Sequence, residues 1–541
     1  MRVSVALVSA VWAAAFLLTS GSCGNSDSNS DSPTSSPSPV STPSPASTRA
    51  PGTPGPAVRI GERVTFYGAD PGDSAAAIAA GDFNADTRQD FVLGAALADG
   101  PGNGRPDGGE AYIFLGPFQP GERDPAAGQY DVVIYGAAAG DQLGRAVTTG
   151  DFDGDGVDDL ALGAPMGDGA SGDRSDSGQV YVLLGSKALG KELREVDLAT
   201  DRQGVAIYGA DAGDLAGFAL DAAAVNADPY ADLIIGAFWA DGPDNARSNA
   251  GEVYVILGAP QPESVDLRSG EQDVTIFGAR SEDRLGEGLR AGDVNGDGTA
   301  DLLVVATFGD GPDNDRDRAG ETYVLLSPPT GVIDLASGGQ VATILGVDPG
   351  DQMGHSAASG DLNGDGFDDV LLGAVSADGP GNSRDLAGEA AIVPGSAQIS
   401  GLIDIAGGAS PVIYGASSGD RLGRSVATGD LNGDGMGDAL IAAPRAVDGT
   451  GAKPSAGAVY IFLGRSPLRY PPTISSADLV LYGDDAGDDL GNQVSGMRAL
   501  LANDMDGDGL NDILASASAA DGPGDQRQGC GEAYIIFVRK Q

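Results

Sequence analysis

The chain has 541 residues and a formal net charge of −47, with 78 Asp and Glu against 31 Lys and Arg. Such acidity excludes nucleic acid as a natural partner and suits a protein that binds cations. Glycine is abundant, with 86 residues, and 6% of the chain is aromatic, which favours many short strands joined by tight turns. Two cysteines, Cys23 and Cys530, cannot provide a disulfide framework, and the one histidine, His355, leaves little room for histidine-based sites.

The N-terminus has the pattern of an export signal. Arg2 precedes an apolar run over residues 3–18, and small residues then lead to Cys23. We predict a signal peptide over residues 1–22, because the run is too short for a good transmembrane helix. Cys23 resembles the lipidated cysteine of bacterial lipoproteins, although Ser20 stands where those signals usually have leucine. The alternative is ordinary cleavage, so we expect an exported protein that is lipid-anchored at the cell surface or outer membrane, or else secreted.

Residues 23–57 consist largely of Ser, Pro, Thr, Asn and Gly, with almost no large apolar side chain. A segment of this composition cannot bury enough surface to fold, and its prolines keep it extended. We predict a disordered tether between the N-terminus and a folded domain over residues 58–541.

An acidic loop recurs seven times in this domain, with first positions at 82, 151, 224, 293, 361, 430 and 504. Each unit has four short apolar segments, which in the second unit lie at 145–149, 160–164, 179–185 and 204–209. Four strands per unit and no helical periodicity predict an all-β, seven-bladed β-propeller of four-stranded antiparallel blades. Separate small β domains are a weak alternative, since one blade alone could not bury both its faces.

The order of the segments predicts how the ring closes. A fourth-strand motif at residues 64–68 precedes the first acidic loop, and the chain ends on a third-strand motif at 532–537. The N-terminal strand should therefore pair with the C-terminal unit, which would protect two otherwise exposed strand edges.

The acidic loop 151–159 has carboxylates at positions 1, 3, 5 and 9 and a glycine at position 6. Crowded acids repel one another unless a cation lies among them, and Ca²⁺ accepts six to eight oxygen ligands in irregular geometry. Five loops keep every element, and a sixth, 82–90, lacks the glycine. Simple turn formation is the alternative, but it requires no strict alternation of acids. The predicted ligands, with the backbone carbonyl at position 7, are Asp151, Asp153, Asp155, Val157 and Asp159; Asp293, Asn295, Asp297, Thr299 and Asp301; Asp361, Asn363, Asp365, Phe367 and Asp369; Asp430, Asn432, Asp434, Met436 and Asp438; Asp504, Asp506, Asp508, Leu510 and Asp512; and, in the sixth loop, Asp82, Asn84, Asp86, Arg88 and Asp90.

The third unit departs from this pattern, with Ala224 at position 1 and Pro229 at position 6. We expect this loop to fold without metal. We expect weaker binding in loop 82–90, where Arg88 also adds positive charge.

The repeated elements resemble the FG-GAP repeat of the integrin α-subunit propeller. They stand here as Gly-Asp-Gln-Leu-Gly at 140–144, Gly-Asp-Leu-Asn-Gly-Asp-Gly at 360–366 and Gly-Ala-Pro at 163–165, and the resemblance covers residues 58–541. It implies a calcium-stabilised propeller and a role in adhesion or cell-surface recognition. Phe-Gly is mostly Leu-Gly in this chain and Gly-Ala-Pro is often altered, so integrin biology is an analogy only.

Two patterns lie on the loops that join the second and third segments. Most loops have an Asp, an Arg six residues later and a Glu or Gln eleven residues later, as in Asp99, Arg105 and Glu110. This pattern predicts an ion pair within the loop, with repeated ligand sites as the alternative, and the sixth unit departs from it. Two residues before the loop Asp, consecutive units carry Leu97, Met166, Trp239 and Phe308. These four side chains are candidates for a ligand-binding apolar arc, with packing between units as the alternative.

We therefore expect a calcium-stabilised propeller that binds an extracellular protein or glycan on the face opposite the acidic loops. An extracellular propeller hydrolase or lyase is the alternative, but no unit gathers a catalytic set outside the repeat pattern, so we predict no catalytic residues. A purely structural surface protein is a third hypothesis. His355 occupies a position that varies between units, from which we predict an exposed side chain and not a catalyst.

Overall fold

The computed structural model describes residues 58–200, 204–312, 314–470, 472–493 and 497–541. The predicted signal peptide 1–22, Cys23 and the predicted tether 23–57 lie outside the described residues. Within the described residues, no helix has the length and apolar character needed to span a membrane.

The described residues form seven sheets arranged in a ring, which confirms the predicted seven-bladed β-propeller. We number the blades 1 to 7 by their acidic loops and the strands 1 to 4 outward from the centre. Strand 1 of each blade contacts strand 1 of both neighbouring blades, so that the seven enclose a central channel. In blades 1 to 4 the strands are Ala77–Gly81, Asp90–Ala95, Glu110–Phe114 and Val132–Tyr135; Val147–Gly150, Asp159–Ala164, Gln179–Leu183 and Val205–Tyr208; Ala219–Ala223, Asp232–Ala237, Glu252–Ile256 and Val274–Phe277; and Leu285–Gly292, Asp301–Ala306, Glu321–Leu325 and Ala342–Leu345. In blades 5 to 7 they are Ser356–Gly360, Asp369–Ala374, Glu389–Val393 and Val412–Tyr414; Val426–Gly429, Asp438–Ala443, Ala458–Phe462 and Leu479–Tyr482; and Leu500–Asn503, Asp512–Ala517, Glu532–Lys540 and Val58–Tyr67.

The ring closes as predicted, through the two ends of the domain. Val58–Tyr67 runs antiparallel to Glu532–Lys540, with Val58 opposite Lys540 and Tyr67 opposite Glu532. Phe66 on this closing strand also packs into blade 1, where its ring centroid lies 4.4 Å from that of Phe91. The closing strand therefore covers the outer edge of blade 7 and contributes to the core shared with blade 1.

Five blades carry a fifth strand that the sequence pattern did not predict. Each is a short segment from the 3–4 connection of the next blade, and it pairs parallel with strand 4. The segments are Gly121–Arg123 on blade 7, Glu195–Asp197 on blade 1, Val265–Asp266 on blade 2, Gly331–Asp334 on blade 3 and Gly401–Asp404 on blade 4. Such segments cover an outer edge and tie consecutive blades together. The other ordered pieces of the connections and loops are the 3-10 turns Pro101–Asn103, Pro125–Ala127, Pro243–Asn245, Leu267–Ser269, Leu335–Ser337, Ile405–Gly407, Ile474–Ser476 and Pro523–Asp525.

The hydrophobic core lies between the blades. Every residue of strand 2 is buried in all seven blades, because each blade is covered by a neighbour on both faces. This explains why the strand-2 sequences are continuous apolar runs and not alternating ones.

A tight turn with the sequence Gly-Asp-x-Leu-Gly joins strand 4 to the next strand 1. In blade 2 the Asp141 carboxylate accepts a hydrogen bond from the Ala138 backbone N–H at 3.0 Å, and Gln142 has φ of 58°. The same middle position has positive φ in every blade, at Ser74, Gln142, Leu215, Arg284, Gln352, Arg421 and Asp489. The residue after this turn enters strand 1 at the end of the channel opposite the acidic loops.

Candidate functional site

The acidic loops fold around the carboxylate at position 1. Asp151 Oδ1 accepts hydrogen bonds from the backbone N–H groups of Gly154 at 2.7 Å and Asp155 at 3.0 Å, and its Oδ2 accepts one from Gly156 at 2.9 Å. This fold brings ligand oxygens of Asp151, Asp153 and Asp159 within 4.8 Å of one another. Asp504, Asp506 and Asp512 of blade 7 also converge, and there the Arg539 guanidinium contacts Asp506 and Asp508. Both groups have the oxygen chemistry and spacing that Ca²⁺ requires.

Three of the loops with Asn at position 3, 82–90, 293–301 and 430–438, fit a cation on a different observation. Asn84 Oδ1, Asp301 Oδ2 and Asn432 Oδ1 are buried and have no hydrogen-bond partner among the described residues. All three atoms belong to predicted ligand positions 3 or 9. A buried oxygen without a partner is costly, and a bound Ca²⁺ would satisfy it.

The aspartate at position 9 has a structural role besides its predicted role as a ligand. Asp159 Oδ2 accepts from the Phe152 N–H at 2.9 Å, and its Oδ1 accepts from the Gly185 N–H at 2.7 Å. Burial raises the pKa of Asp159 to about 7. The same bonds reach Asp232 in blade 3, from Val225 at 2.8 Å and Gly258 at 2.9 Å, although that loop lacks an acid at position 1. This role explains why Asp232 persists in a loop that we expect to remain metal-free.

The first loop reaches the usual conformation without its glycine. Thr87 at position 6 adopts φ of 75° and donates its backbone N–H to Asp82 Oδ2 at 2.7 Å. A threonine in this left-handed region is strained, which agrees with the weaker calcium binding that we predict there.

The acidic loops of consecutive blades are joined through their backbones. The N–H at position 8 of one loop donates to the carbonyl at position 1 of the preceding loop, as in Asp158 to Asp82 at 3.0 Å. The same bond joins Ala231 to Asp151, Ala300 to Ala224, Asp368 to Asp293, Gly437 to Asp361 and Asn511 to Asp430. A cation bound in one loop would therefore brace a boundary between blades as well as strands 1 and 2 of its own blade.

The opposite face carries the four candidate ligand-binding side chains, all half-buried. Trp239 and Phe308 lie on neighbouring blades, and the Arg284 guanidinium lies 5.2 Å from the Trp239 ring centroid and 4.2 Å from that of Phe308. Leu97 and Met166 are half-buried on blades 1 and 2. Trp239, Arg284 and Phe308, which we call the Trp239 cluster, thus combine packing between blades with partial exposure.

Comparison with known families explains the repeated geometry. Residues 143–183, 285–325, 353–385 and 422–462 match the FG-GAP repeat, and each of the first, second and fourth segments runs from the turn motif through the acidic loop to strand 3. Blades 2, 4, 5 and 6 therefore contain FG-GAP repeats.

The relatives of this propeller include integrin α subunits and phospholipases D. Integrin alpha-PS2 of Drosophila melanogaster is 30% identical over 249 residues, which are 44% of this chain and 15% of the relative. Phosphatidylinositol-glycan-specific phospholipase D of Dictyostelium discoideum is 25% identical over 427 residues, 72% of this chain and 43% of the relative. The phospholipase D of the same name from Rattus norvegicus is 34% identical over 180 residues, 32% of this chain and 20% of the relative. The chain therefore matches less than half the length of each of these proteins.

The prediction of an ion pair within each 2–3 loop is wrong. Arg105 donates to both carboxylate oxygens of Asp197 at 2.6 Å, and Asp197 lies on the 3–4 connection of the next blade. Asp99 instead accepts from the Asp107 backbone N–H at 3.1 Å. Five such pairs link neighbouring blades: Arg105–Asp197, Arg174–Asp266, Arg247–Asp334, Arg316–Asp404 and Arg527–Asp124. The arginine therefore fixes a blade boundary and not a single loop.

The prediction that His355 is exposed is also wrong, since only 5% of the residue is accessible. Residues at this position enter strand 1 from seven directions and converge on the channel, so each has different neighbours. Variation between blades therefore reflects complementarity at the axis and not exposure. Cys530 is a free, buried cysteine, and burial raises the pKa of its thiol to about 12.

Proposed function

We propose that this FG-GAP propeller is an exported, calcium-stabilised binding module that recognises an extracellular protein or glycan. The observation that carries the proposal is the Trp239 cluster on the face opposite the acidic loops. The equivalent positions of blades 5 to 7 hold Ser376, Ala446 and Ala519, so the aromatic character is confined to one side of the ring. A local departure from a repeat is more informative about binding than the repeat itself.

The chemistry of the Trp239 cluster supports recognition of a ligand. Tryptophan and arginine are enriched at the centres of protein interfaces, where a rigid ring and a multivalent donor lose little entropy on binding. The Trp239 Nε1–H is buried without a hydrogen-bond partner among the described residues, so a ligand acceptor or a water can engage it after a small rearrangement. The similarity to integrin α subunits favours adhesion as the setting.

We propose that the propeller is held at the cell surface through Cys23 and the segment 23–57. The export signal and the Ser/Pro-rich composition support this placement. Incorporation of a labelled fatty acid into the exported wild type, and its loss in Cys23→Ser, would support the anchor. Equal release of wild type and Cys23→Ser into the medium would indicate a secreted protein instead of a lipid-anchored one.

The binding role is tested with a glycan array and with pull-down from candidate partner cells, each with calcium and with EGTA. We expect binding that Trp239→Ala reduces about tenfold or more, since interface tryptophans commonly dominate affinity. Val332→Ala is the matched control, because Val332 is an apolar side chain with 71% exposure outside the cluster. A folded Trp239→Ala protein with unchanged binding would remove the cluster from the proposal.

A second candidate, an extracellular hydrolase, is favoured by the similarity to proteins named phospholipase D. We predict no catalytic residues in the repeats, and the chain matches less than half the length of those relatives. Turnover of phosphodiester or glycosidic substrates by the purified propeller would favour the enzyme. Absence of both turnover and ligand binding would favour a purely structural surface protein.

A further inference from the structure

The central channel holds charged side chains from three different blades at one depth. The Arg498 guanidinium of blade 7 donates to Asp221 Oδ1 of blade 3, and Arg290 Nη1 of blade 4 lies 4.0 Å from the same oxygen. The side chains of Arg290 and Arg498 remain 17% and 18% exposed, respectively. Because blade 7 adjoins neither blade 3 nor blade 4, these side chains can meet only at the axis, and the two arginines line the central channel.

A second set of charges lies where the chain enters strand 1. Arg145, Glu287, His355 and Arg424 occupy the same position after the tight turn in blades 2, 4, 5 and 6. Burial, together with other arginines, lowers the pKa of Arg145 and Arg424 to about 10, so both guanidiniums stay protonated at neutral pH.

The charges of the channel do not balance among the described residues. Four arginines, Arg145, Arg290, Arg424 and Arg498, face the two carboxylates of Asp221 and Glu287. Asp489 also lies near Arg424, but its carboxylate is paired with Arg445 at 3.0 Å. Two positive charges therefore remain in excess. The Asp221 carboxylate also accepts the backbone N–H groups of Ala222 and Ala291, each at 2.9 Å. In a chain of net charge −47, the channel therefore has the opposite sign to the surface. A buried excess charge is costly unless a counter-ion accompanies it.

A small cavity connects the two sets. Glu287, Arg290, His355, Ser356 and Arg498 are among the residues that line its volume of about 30 Å³, which suits a few water molecules or one small oxyanion and excludes a sugar ring. His355 Nε2 is buried and has no hydrogen-bond partner among the described residues. Burial and the nearby Arg424 and Arg421 lower the pKa of His355 to about 3, so the imidazole is neutral and can donate one N–H.

We propose that this channel binds one small oxyanion, a carboxylate or sulfate group, between Arg290, Arg498 and His355. Arg290 Nε and Nη2 donate to the Ala357 carbonyl at 3.0 and 2.8 Å, so Nη1 is the Arg290 nitrogen that would contact the oxyanion. A buried site strengthens such charged hydrogen bonds. The oxyanion neutralises part of the excess charge and gives His355 Nε2 a partner. The channel site is separate from the Trp239 cluster and stands whether or not the propeller is an adhesion module.

The single histidine of the chain makes the test direct. In protein labelled with ¹⁵N-histidine, the His355 ring gives the only side-chain imidazole signals, and these are followed while sodium acetate or sodium sulfate replaces sodium chloride at constant ionic strength. We expect a saturable shift with at least one anion up to about 100 mM, with a thermal midpoint that rises with the logarithm of its concentration. The anion that binds more tightly identifies the group.

Substitution then locates the site. Arg498→Gln should weaken the anion about tenfold or more, since it removes a charged donor from a buried site. Arg384→Gln, the same change at the outer rim, should leave the affinity unchanged. If Arg498→Gln does not fold, Arg424→Gln gives the same comparison at the second set of charges. A linear or absent response of His355 to both anions, or equal affinities in the channel and rim variants, would overturn the proposal.

Discussion

Arg174 on the 2–3 loop of blade 2 holds both carboxylate oxygens of Asp266 on blade 3, at 2.6 and 3.0 Å. The Arg174 side chain is 3% exposed and also donates to the Gly209 carbonyl at 2.6 Å. A buried guanidinium that forms one bidentate ion pair and also donates to a backbone carbonyl leaves little freedom at a blade boundary. The boundaries between blades 1 and 2, 2 and 3, 3 and 4, and 4 and 5 are therefore each held by three separate contacts: the Arg–Asp pair, the parallel fifth strand and the backbone bond between acidic loops.

The first prediction concerns loss of this pair. Arg174→Gln should lower the free energy of unfolding by about 2 to 4 kcal/mol, because removing one partner leaves the carboxylate and the Gly209 carbonyl without their donor. Denaturant unfolding followed by intrinsic fluorescence measures the difference. Arg384→Gln is the control, since Arg384 contacts the Gly415 carbonyl and forms no ion pair among the described residues. Equal losses in the two variants would show that the ion pair contributes nothing beyond the backbone contact.

The second prediction adds the pair that blade 5 lacks. Thr473 stands beside Tyr414 at the position that Asp266 occupies beside Tyr208, and both residues cap a 3-10 turn. Thr473→Asp should place a carboxylate next to Arg384 and raise the free energy of unfolding by about 1 kcal/mol. The gain should vanish in the Arg384→Gln background, and a double-mutant cycle measures the coupling. A gain that persists without Arg384 would be a capping effect alone.

The strands and the ring closure, which depend on local periodicity, could be predicted from the sequence. The contacts between neighbouring blades could not. Strand 2 is recognisable because burial on both faces makes it apolar throughout, and the phase of the repeat predicts the pairing of Val58–Tyr67. The segment Gly121–Arg123 is three polar residues, so no periodicity marks it as a strand. Arg105 pairs with Asp197, 92 residues away in the next repeat, while Asp99 in the same loop misled the sequence interpretation. The predicted exposure of His355 was wrong for a related reason. Residues at this position meet different neighbours at the axis, so they vary between blades although they are buried.

The third prediction concerns ring closure. Phe66 is fully buried between blades 7 and 1, and its ring contacts Phe91, Phe114 and Phe118. Phe66→Ala should cost about 3 to 5 kcal/mol through lost burial and the cavity left behind. Val332→Ala, at an exposed site, should change stability by less than about 0.5 kcal/mol. Deletion of residues 58–68 should lower the thermal midpoint further, and an unchanged midpoint would contradict closure by this strand.

The fourth prediction is a pH dependence from the tight turns. Burial, with the nearby Glu110, raises the pKa of Asp73 to about 8, above an unfolded value of about 3.9. Between these values the folded chain binds the proton and the unfolded chain does not, so this contribution is present at low pH and is lost as the pH rises towards 8. Asp73→Asn imitates the protonated side chain, and its stability relative to wild type should increase by about 1 to 3 kcal/mol from pH 4 to pH 8. Asp385→Asn, at an exposed site, should show no such trend.

The fifth prediction separates calcium loops from loops that only form turns. At about 10 mM calcium and a dissociation constant of about 10⁻⁴–10⁻³ M, each occupied site should add about 1 to 3 kcal/mol to the free energy of unfolding. Asp151→Ala removes the carboxylate that organises the loop of blade 2, and should lower the gain from calcium by about one such step. Asp228→Ala removes an acid from the blade 3 loop, where Ala224 replaces the first ligand, and should leave that gain unchanged. The measurement is the unfolding free energy of each variant in calcium and in EGTA, with magnesium as the test of specificity.

Since six backbone bonds join the loops around the ring, the loss of calcium binding in Asp151→Ala should also increase hydrogen exchange at Ala231 of blade 3, whose N–H donates to the Asp151 carbonyl. Equal calcium responses in wild type, Asp151→Ala and Asp228→Ala would mean that the acidic loops are turns without metal.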